Sequence, residues 1–314
     1  MALPIKKPYE SLSKYLERTL PGELESGKSR GKATADIMFE YNKEPDREMF
    51  LPFIWGDAGS PASGGGGGDP DADAYLAAVT TAGGTTDATI DAAVQTLFVD
   101  LKLAGLYSKL VAFYPLIGGI AASNRINANS NTSYDLSLFG GWVHNTDGMI
   151  SNRTNTYGDT QIIPATTLSA TDNHTSVLFK DIGGGSGYDG AGPAPYLIQS
   201  VKRALEAFNG SAIMSGLGSI PSFGKAFLIN VKENNTSAFA GTNPNGAGYS
   251  IKSTKTNAAT TVPTNSWTVG KVNGSGFFSE AQYWFVTIGN GMSQPEASDL
   301  HDIINAFATA VGRT

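Results

Sequence analysis

The 314-residue chain has no cysteine, and its three histidines, His144, His174 and His301, lie far apart. Without thiols there are no disulfides and no thiolate metal sites, and without a short-spaced histidine pair no catalytic metal is expected. Long apolar runs are also missing: none approaches the roughly 20 residues of a membrane-spanning helix. The first 20 residues carry charges where a signal peptide needs an apolar stretch, so the expectation is a soluble protein made without a secretory signal. Basic excess is absent too. With 22 Lys+Arg against 28 Asp+Glu the net charge is −6, and no segment is basic enough to neutralise a nucleic-acid backbone. Nucleic acid and membrane insertion are both excluded as expectations.

What charge there is concentrates at one end. Of the 50 charged side chains, 18 fall within residues 1–48. Beyond Gly56 the chain turns rich in Gly, Ala, Ser, Thr and Asn, a composition suited to strands and turns. The change of character coincides with DAGSPASGGGGGDP, residues 57–70, whose successive glycines have no side chains to pack and read as a flexible linker. Residues 1–56 read as an extended anchoring arm. In it, Tyr9, Leu12, Tyr15, Leu16 and Leu20 fall on one helical stripe, and Phe50, Leu51, Phe53, Ile54 and Trp55 form an apolar cluster. A segment this small cannot bury that cluster alone, so Tyr9, Leu12, Leu16, Phe50, Phe53 and Trp55 are the candidate partner-binding residues.

After the linker, Asp69 and Pro70 read as the cap and first residue of a helix, and Thr86 as the cap of a second that Gly105 stops. This helical pair and its hydrophobic lead-in occupy residues 71–123. From Tyr134 to Val286 short β-prone runs (DLSLFGGWVH, TSVLFKDI, KAFLINVKE, NSWTVGKV, AQYWFVTI) alternate with Gly, Asn, Ser and Pro clusters, the pattern of an antiparallel β-sandwich over 124–314. Within it, YLIQSVKRALEAFNG (196–210) reads as a helix, and GGGSGYDGAGPAP (183–195) and FAGTNPNGAGYS (239–250) read as loops. The chain closes on a helix with a Ser293–Glu296 capping box and a buried stripe of Leu300, Ile303, Ile304, Phe307 and Val311, ended by Gly312. Gly289 and Gly291, before it, read as turn residues adopting positive φ.

Four motifs invite chemistry. GELESGKS (22–29) matches the phosphate-loop pattern, with Lys28 and Ser29 in the nucleotide-binding places. It follows Leu20-Pro21 rather than a buried strand, and Glu23 and Glu25 would repel phosphate, so nucleotide binding is not expected. EPDRE (44–48) has the E-x-D-x-E spacing by which laminarinase-like glycosidases align carboxylates on a strand, but Pro45 interrupts such a strand. In GGWVHN, Trp142 and His144 share one face of a strand and could stack a sugar, although a core or near-core position is favoured. The closing TIGNGM turn could hold an anion, yet Ser293 and Glu296 already supply partners for the helix N–H groups.

Taken in order, DADAYLAAV (71–79), AVQTLFVDLKLAGLYSKLVAFYPLIGGIAAS (93–123), LFGGWVHNTDGMISNRTNTYGDT (138–160) and WFVTIGNGMSQPEASDLHDIINAFATAVGR (284–313) resemble a module of tailed-bacteriophage virion proteins. That module is a concanavalin-A/laminin-G-like jelly roll preceded by a helical pair. The segment from Ile182 to Ser279 departs from it. The resemblance implies a mainly β fold, and a virion building block rather than an enzyme, without cofactor, metal or catalytic residues. The implied partners are other virion proteins of capsid or tail, with self-association into a homo-oligomer. The implied location is the virion, assembled in the host cytoplasm. A decoration or fibre protein held by its arm is the leading expectation. A glycan-binding adhesin contacting the host surface is the alternative, and a glycosidase dependent on Glu44 and Glu48 a third.

Overall fold

A computed structural model describes residues 68–313 apart from 130–132, 182–187, 192–196, 202–205, 211, 215–223, 235–236, 245–247, 257–262 and 274–277. The chain divides at Pro70/Asp71, and the fold is that of the unit Asp71–Thr314. Its elements in chain order are α1 (Pro70–Thr81), α2 (Ala88–Leu103), β1 (Leu110–Tyr114), α3 (Ala121–Asn124), β2 (Ser137–Phe139), β3 (Val143–Asn145), β4 (Gly148–Ile150), β5 (Tyr157–Asp159), α4 (Pro164–Thr167), β6 (Asn173–Asp181), β7 (Tyr188–Ala191), β8 (Leu197–Val201), β9 (Glu206–Gly210), β10 (Ala212–Met214), β11 (Lys225–Lys232), β12 (Ser237–Pro244), β13 (Ser250–Thr256), β14 (Thr268–Val269), β15 (Val272–Asn273), β16 (Ala281–Gly289) and α5 (Gln294–Ala310).

The helices start and stop where local chemistry dictates. Pro70, its φ already fixed near the helical value, is the first residue of α1. α2 is capped by Asp87, one residue beyond the expected Thr86; the Asp87 carboxylate accepts from the Ile90 N–H at 2.8 Å. Gly105, at φ 70°, takes the left-handed position that ends α2. α5 has both halves of its capping box, Ser293 and Glu296, and Gly312 at φ 80° follows it.

The strands form an antiparallel β-sandwich of two sheets. The inner sheet runs β13-β12-β11-β6-β16-β4-β3, with β1 pairing beside β4 on the same edge of β16. The outer sheet runs β10-β9-β8-β7-β14-β5-β2, with β15 parallel to β7. Alternation along the inner strands separates two cores. Leu178, Phe227, Ile229, Val231 and Phe285 pack under α1, α2 and α5 with Val94, Leu97, Leu300 and Phe307. Val177, Phe179, Ala226, Leu228, Val286 and Ile288 pack against the outer sheet through Trp267 and Val269. Because both faces of the inner sheet are covered, β16 is buried at every residue. Its register shifts between Tyr283 and Phe285, so Trp284 is an extra residue that turns Trp284 and Phe285 both toward the helices.

Two sequence expectations are corrected here. Residues 197–201 and 206–210, read as one helix, are strands β8 and β9, paired from Leu197↔Gly210 to Val201↔Glu206. A short apolar run fits either period, and the ladder to β7 on the other side of β8 decides for the strand. The two glycine-rich stretches read as loops also supply ladder: Tyr188–Ala191 is β7, and Phe239 to Pro244 lies within β12. Glycine is needed in β12 at Gly241, where the register with β13 shifts and a Cβ would stand 2.1 Å from the Tyr249 hydroxyl oxygen.

Candidate functional site

The turn between β16 and α5 is occupied by the protein itself. Glu296 accepts from the Ser293 N–H at 2.8 Å and from Lys109 Nζ at 2.8 Å, while the Gly291 N–H donates to Asp172 at 2.7 Å. Burial pushes the Glu296 carboxyl up, but bonds from Lys109 and Ser293 outweigh it and hold the pKa below the ordinary value. Two carboxylates in the turn oppose an anion. Neither Gly289 nor Gly291 has a positive φ, which corrects the conformational reason given for them. They are glycines because backbone passes too close: a Cβ on Gly289 would lie 2.1 Å from the Lys109 carbonyl oxygen, and one on Gly291 2.3 Å from that of Lys232.

The histidines do not converge. His174 is wholly buried, bonded through Nδ1 to the Asn290 carbonyl at 2.5 Å and through Nε2 to Thr287 Oγ1 at 3.1 Å, and Thr287 Oγ1 meets Ser176 Oγ at 2.6 Å. Cross-strand pairing of β6 with β16 assembles this buried group, and burial presses the His174 pKa down to about 4. His301 is buried on α5 against Asn243 at 2.7 Å, and half-buried His144 meets Asn124 at 3.0 Å. Among the described residues no His/Asp/Glu cluster could hold a metal ion. The arm candidates Tyr9, Leu12, Leu16, Phe50, Phe53 and Trp55, and the motifs at 22–29 and 44–48, lie outside the described residues.

A surface site does emerge at the edge of the outer sheet. β2 is the edge strand, and its Phe139 pairs directly with Tyr157 of β5. Strand alternation points both side chains away from the core, while Leu138 packs inward. The two rings stack at 4.6 Å between centroids with 11° between planes, and Phe139 is still 45 % exposed. Phe278 extends the group, its ring 6.4 Å from that of Tyr157. Lys271 Nζ stands over both, 4.7 Å from the Tyr157 centroid and 5.2 Å from that of Phe278. Trp142 forms the floor: its Nε1–H donates to the Tyr157 carbonyl at 3.2 Å, and its ring meets Tyr283 edge-on at 5.8 Å. Gly270, at φ 83°, leaves room for the Trp142 ring, whose nearest atom a Cβ would meet at 3.0 Å.

Trp142 is therefore near-core, as the sequence reading favoured, and the exposed ring is that of Phe139, stacked on half-buried Tyr157. Phe139, Tyr157, Phe278 and Lys271 were missed. The available signal was an aromatic residue in each of three Gly/Asn/Ser-rich stretches, LFGGW, NTYGD and GSGFFS. Two clefts lie elsewhere. One of about 610 Å³ runs along α1, lined by alanines and by Arg125 and Asp135, themselves 3.8 Å apart. The other, about 400 Å³, lies between α2 and α5, among Ala92, Ala93, Leu97, Ile303 and Phe307. Burial raises the pKa of Asp135 in the first and of Asp100 in the second, but neither cleft gathers several polar groups on one point.

No protein-family model matches the chain, and no curated protein matches it. Solved structures do. Domain 4 of AbnA, a GH43 extracellular arabinanase from Geobacillus stearothermophilus solved with arabinotriose, aligns over 62 % of this chain and 98 % of that domain, at 15 % identity and a TM-score of 0.42. Trypanosoma rangeli sialidase aligns over 67 % of this chain and 39 % of its own, at 11 % identity and a TM-score of 0.44. An arabinofuranosidase complexed with arabinofuranosyl-alpha-1,2-xylobiose aligns over 51 % of this chain and 41 % of its own, at 12 % identity and a TM-score of 0.36. The expectation that the chain is not an enzyme is corrected by these neighbours, which are sialidases and parts of glycoside hydrolases. At such identity the likeness is one of fold, and it assigns this chain no activity and no substrate.

Proposed function

We propose that the chain is a structural component of a tailed-phage virion, held to capsid or tail by residues 1–56 and displaying the Asp71–Thr314 sandwich outward. The observation that carries this reading is the convergence of the runs that resemble the phage module. Residues 93–123 supply most of α2 and all of β1, 138–160 supply most of β2 and all of β3 to β5, and 284–313 supply most of β16 and all of α5. Far apart in sequence, they meet in space: β1 and β4 both pair with β16, and Arg313 donates to carbonyls of Pro115, Leu116 and Trp284. The divergent segment 182–279 supplies β7 to β13, which lie together at one end of each sheet, and the small strands β14 and β15. The resemblance therefore follows one contiguous piece of the fold. The test is deletion of residues 1–56, which should abolish incorporation into particles; a truncated chain that still copurifies with them overturns the proposal.

The ring platform favours a second reading, a glycan-binding adhesin. Phe139 on the edge strand, stacked on half-buried Tyr157, is left exposed against the hydrophobic effect, and a pyranose offers a flat C–H face that covers such a ring while its hydroxyls stay wet. Saturable binding to a glycan array that Phe139→Ala removes supports this reading, and an array without signal rejects it.

A further inference from the structure

We propose that the platform of Phe139, Tyr157, Phe278 and Lys271 takes an acidic saccharide, with the sugar ring stacked on the aromatic pair and its carboxylate or sulfate received by Lys271. The inference rests on the glycan-binding reading and adds the class of sugar. Lys271 is fixed by its backbone rather than left to wander. Its carbonyl accepts from Thr268 Oγ1 at 2.7 Å, and an isolated antiparallel bridge outside the strands pairs it with Phe278. The ammonium is held between two ring faces and makes no ion pair among the described residues. Such a cation is attracted by the ring quadrupoles but keeps its charge uncompensated, so an anion delivered to the same place gains an attraction that a neutral ligand does not.

A polar rim completes the site. Asn155 lies against Gly140, the residue after Phe139; a Cβ on Gly140 would be 2.5 Å from the Asn155 carbonyl oxygen. The Asn155 Oδ1 accepts from Asn152 at 2.9 Å, and its own exposed amide hydrogens remain able to donate to a sugar hydroxyl. The backbone of the same loop is tied to the platform, the Arg153 N–H donating to the carbonyl of Ser279, next to Phe278, at 2.9 Å. A few rings, one cation and an amide match one or two sugar units, whereas a stable contact between copies takes about 800 Å² from each partner.

The experiment measures binding of the full-length chain by calorimetry and saturation-transfer NMR. The probes are oligogalacturonate and heparin-derived oligosaccharides as carboxylated and sulfated acids, and cello- and malto-oligosaccharides as neutral controls. Acidic probes are expected to bind, and Lys271→Ala and Phe139→Ala are each expected to weaken them about tenfold, with Lys271→Arg retaining most of the affinity. Phe139 is exposed, so its variant should melt with the parent, and weakening is then not loss of fold. Equal binding of neutral probes with no effect of Lys271→Ala overturns the acidic assignment and leaves the glycan reading standing. No binding by any probe overturns both. Self-association in sedimentation that Phe139→Ala abolishes, without saccharide binding, identifies the platform as a contact between copies and also overturns the proposal.

Discussion

Arg313, the last residue described, provides the sharpest test of how the unit is held together. The residue is 2 % exposed, and its guanidinium donates to the carbonyls of Trp284 at 2.6 Å, Leu116 at 2.7 Å, Pro115 at 2.8 Å and Thr146 at 3.4 Å. It thereby ties the end of α5 to the bulge in β16, the exit of β1 and the β3–β4 turn. Two effects oppose each other. Charge-assisted bonds contribute about 1.5–3 kcal/mol each, while burying a guanidinium costs several kcal/mol, and that burial presses the Arg313 pKa to about 10. Nε has no acceptor among the described residues, which adds to the cost. Removing the side chain, however, does not return the protein to the unburied starting point, because it leaves inward-facing carbonyls without this donor. Arg313→Ala should therefore destabilise by about 3–5 kcal/mol, roughly 10 °C in melting temperature for a unit of this size. Arg313→Lys keeps the charge but presents one nitrogen where two reach different carbonyls, and should lose about 2 kcal/mol. Urea unfolding followed by tryptophan fluorescence measures both. A change below about 1 kcal/mol for the alanine variant, or a lysine variant as stable as the parent, refutes the clamp.

Two further predictions concern single residues. Gly289→Ala and Gly312→Ala separate close approach from conformation: the first drives a Cβ into the Lys109 carbonyl and should cost about 3 kcal/mol or more, whereas the second has open space, faces only a φ of 80°, and should cost about 1 kcal/mol. Equal losses in denaturation would refute the distinction. His174, held neutral with its pKa near 4 against an ordinary 6.5, binds fewer protons folded than unfolded between those values. Its contribution is complete above pH 6.5 and is lost as pH falls toward 4, up to about 3 kcal/mol. His174→Gln should flatten that acid limb even if it lowers stability at neutral pH, and an unchanged slope would count against this origin.

The helices were legible because their signals are local. Pro70, Gly105, Ser293 and Glu296 each act within a few residues of themselves, and the structure finds them at or within a residue of their expected places. Strands such as 175–181 and 281–288 were legible because short runs of β-branched and aromatic residues are bounded there by Gly, Asn and Ser. The failures share one physical cause, dependence on a distant partner. Whether residues 197–210 coil or pair depends on β7; whether Gly289 serves conformation or space depends on Lys109, 180 positions earlier. Phe139 and Phe278 are far apart in sequence and are brought together only by the outer sheet. Arg313, a lone charge after Gly312, has a local sequence that suggests a solvated turn and the environment of a core residue.

The layering also determines where recognition has room to occur. The inner sheet has the helices on one face and the outer sheet on the other, so substitutions on β6, β11 and β16 fall on packing whichever way a side chain points. On the outer sheet the faces differ. Along β2 and β5, Leu138 and Gly158 turn toward the core while Phe139 and Tyr157 turn away from it. A change of side chain there alters the surface without opening the core, and a ring in place of a polar group adds a contact at little risk to the fold. Trp142 makes that separation incomplete in one useful respect. Its ring is packed on Tyr283 inside and its N–H is bonded to Tyr157 outside, so the platform stands on the sandwich core rather than on a free loop. A site supported in this way holds its rings in place before a ligand arrives, which is what the stacking proposed above requires.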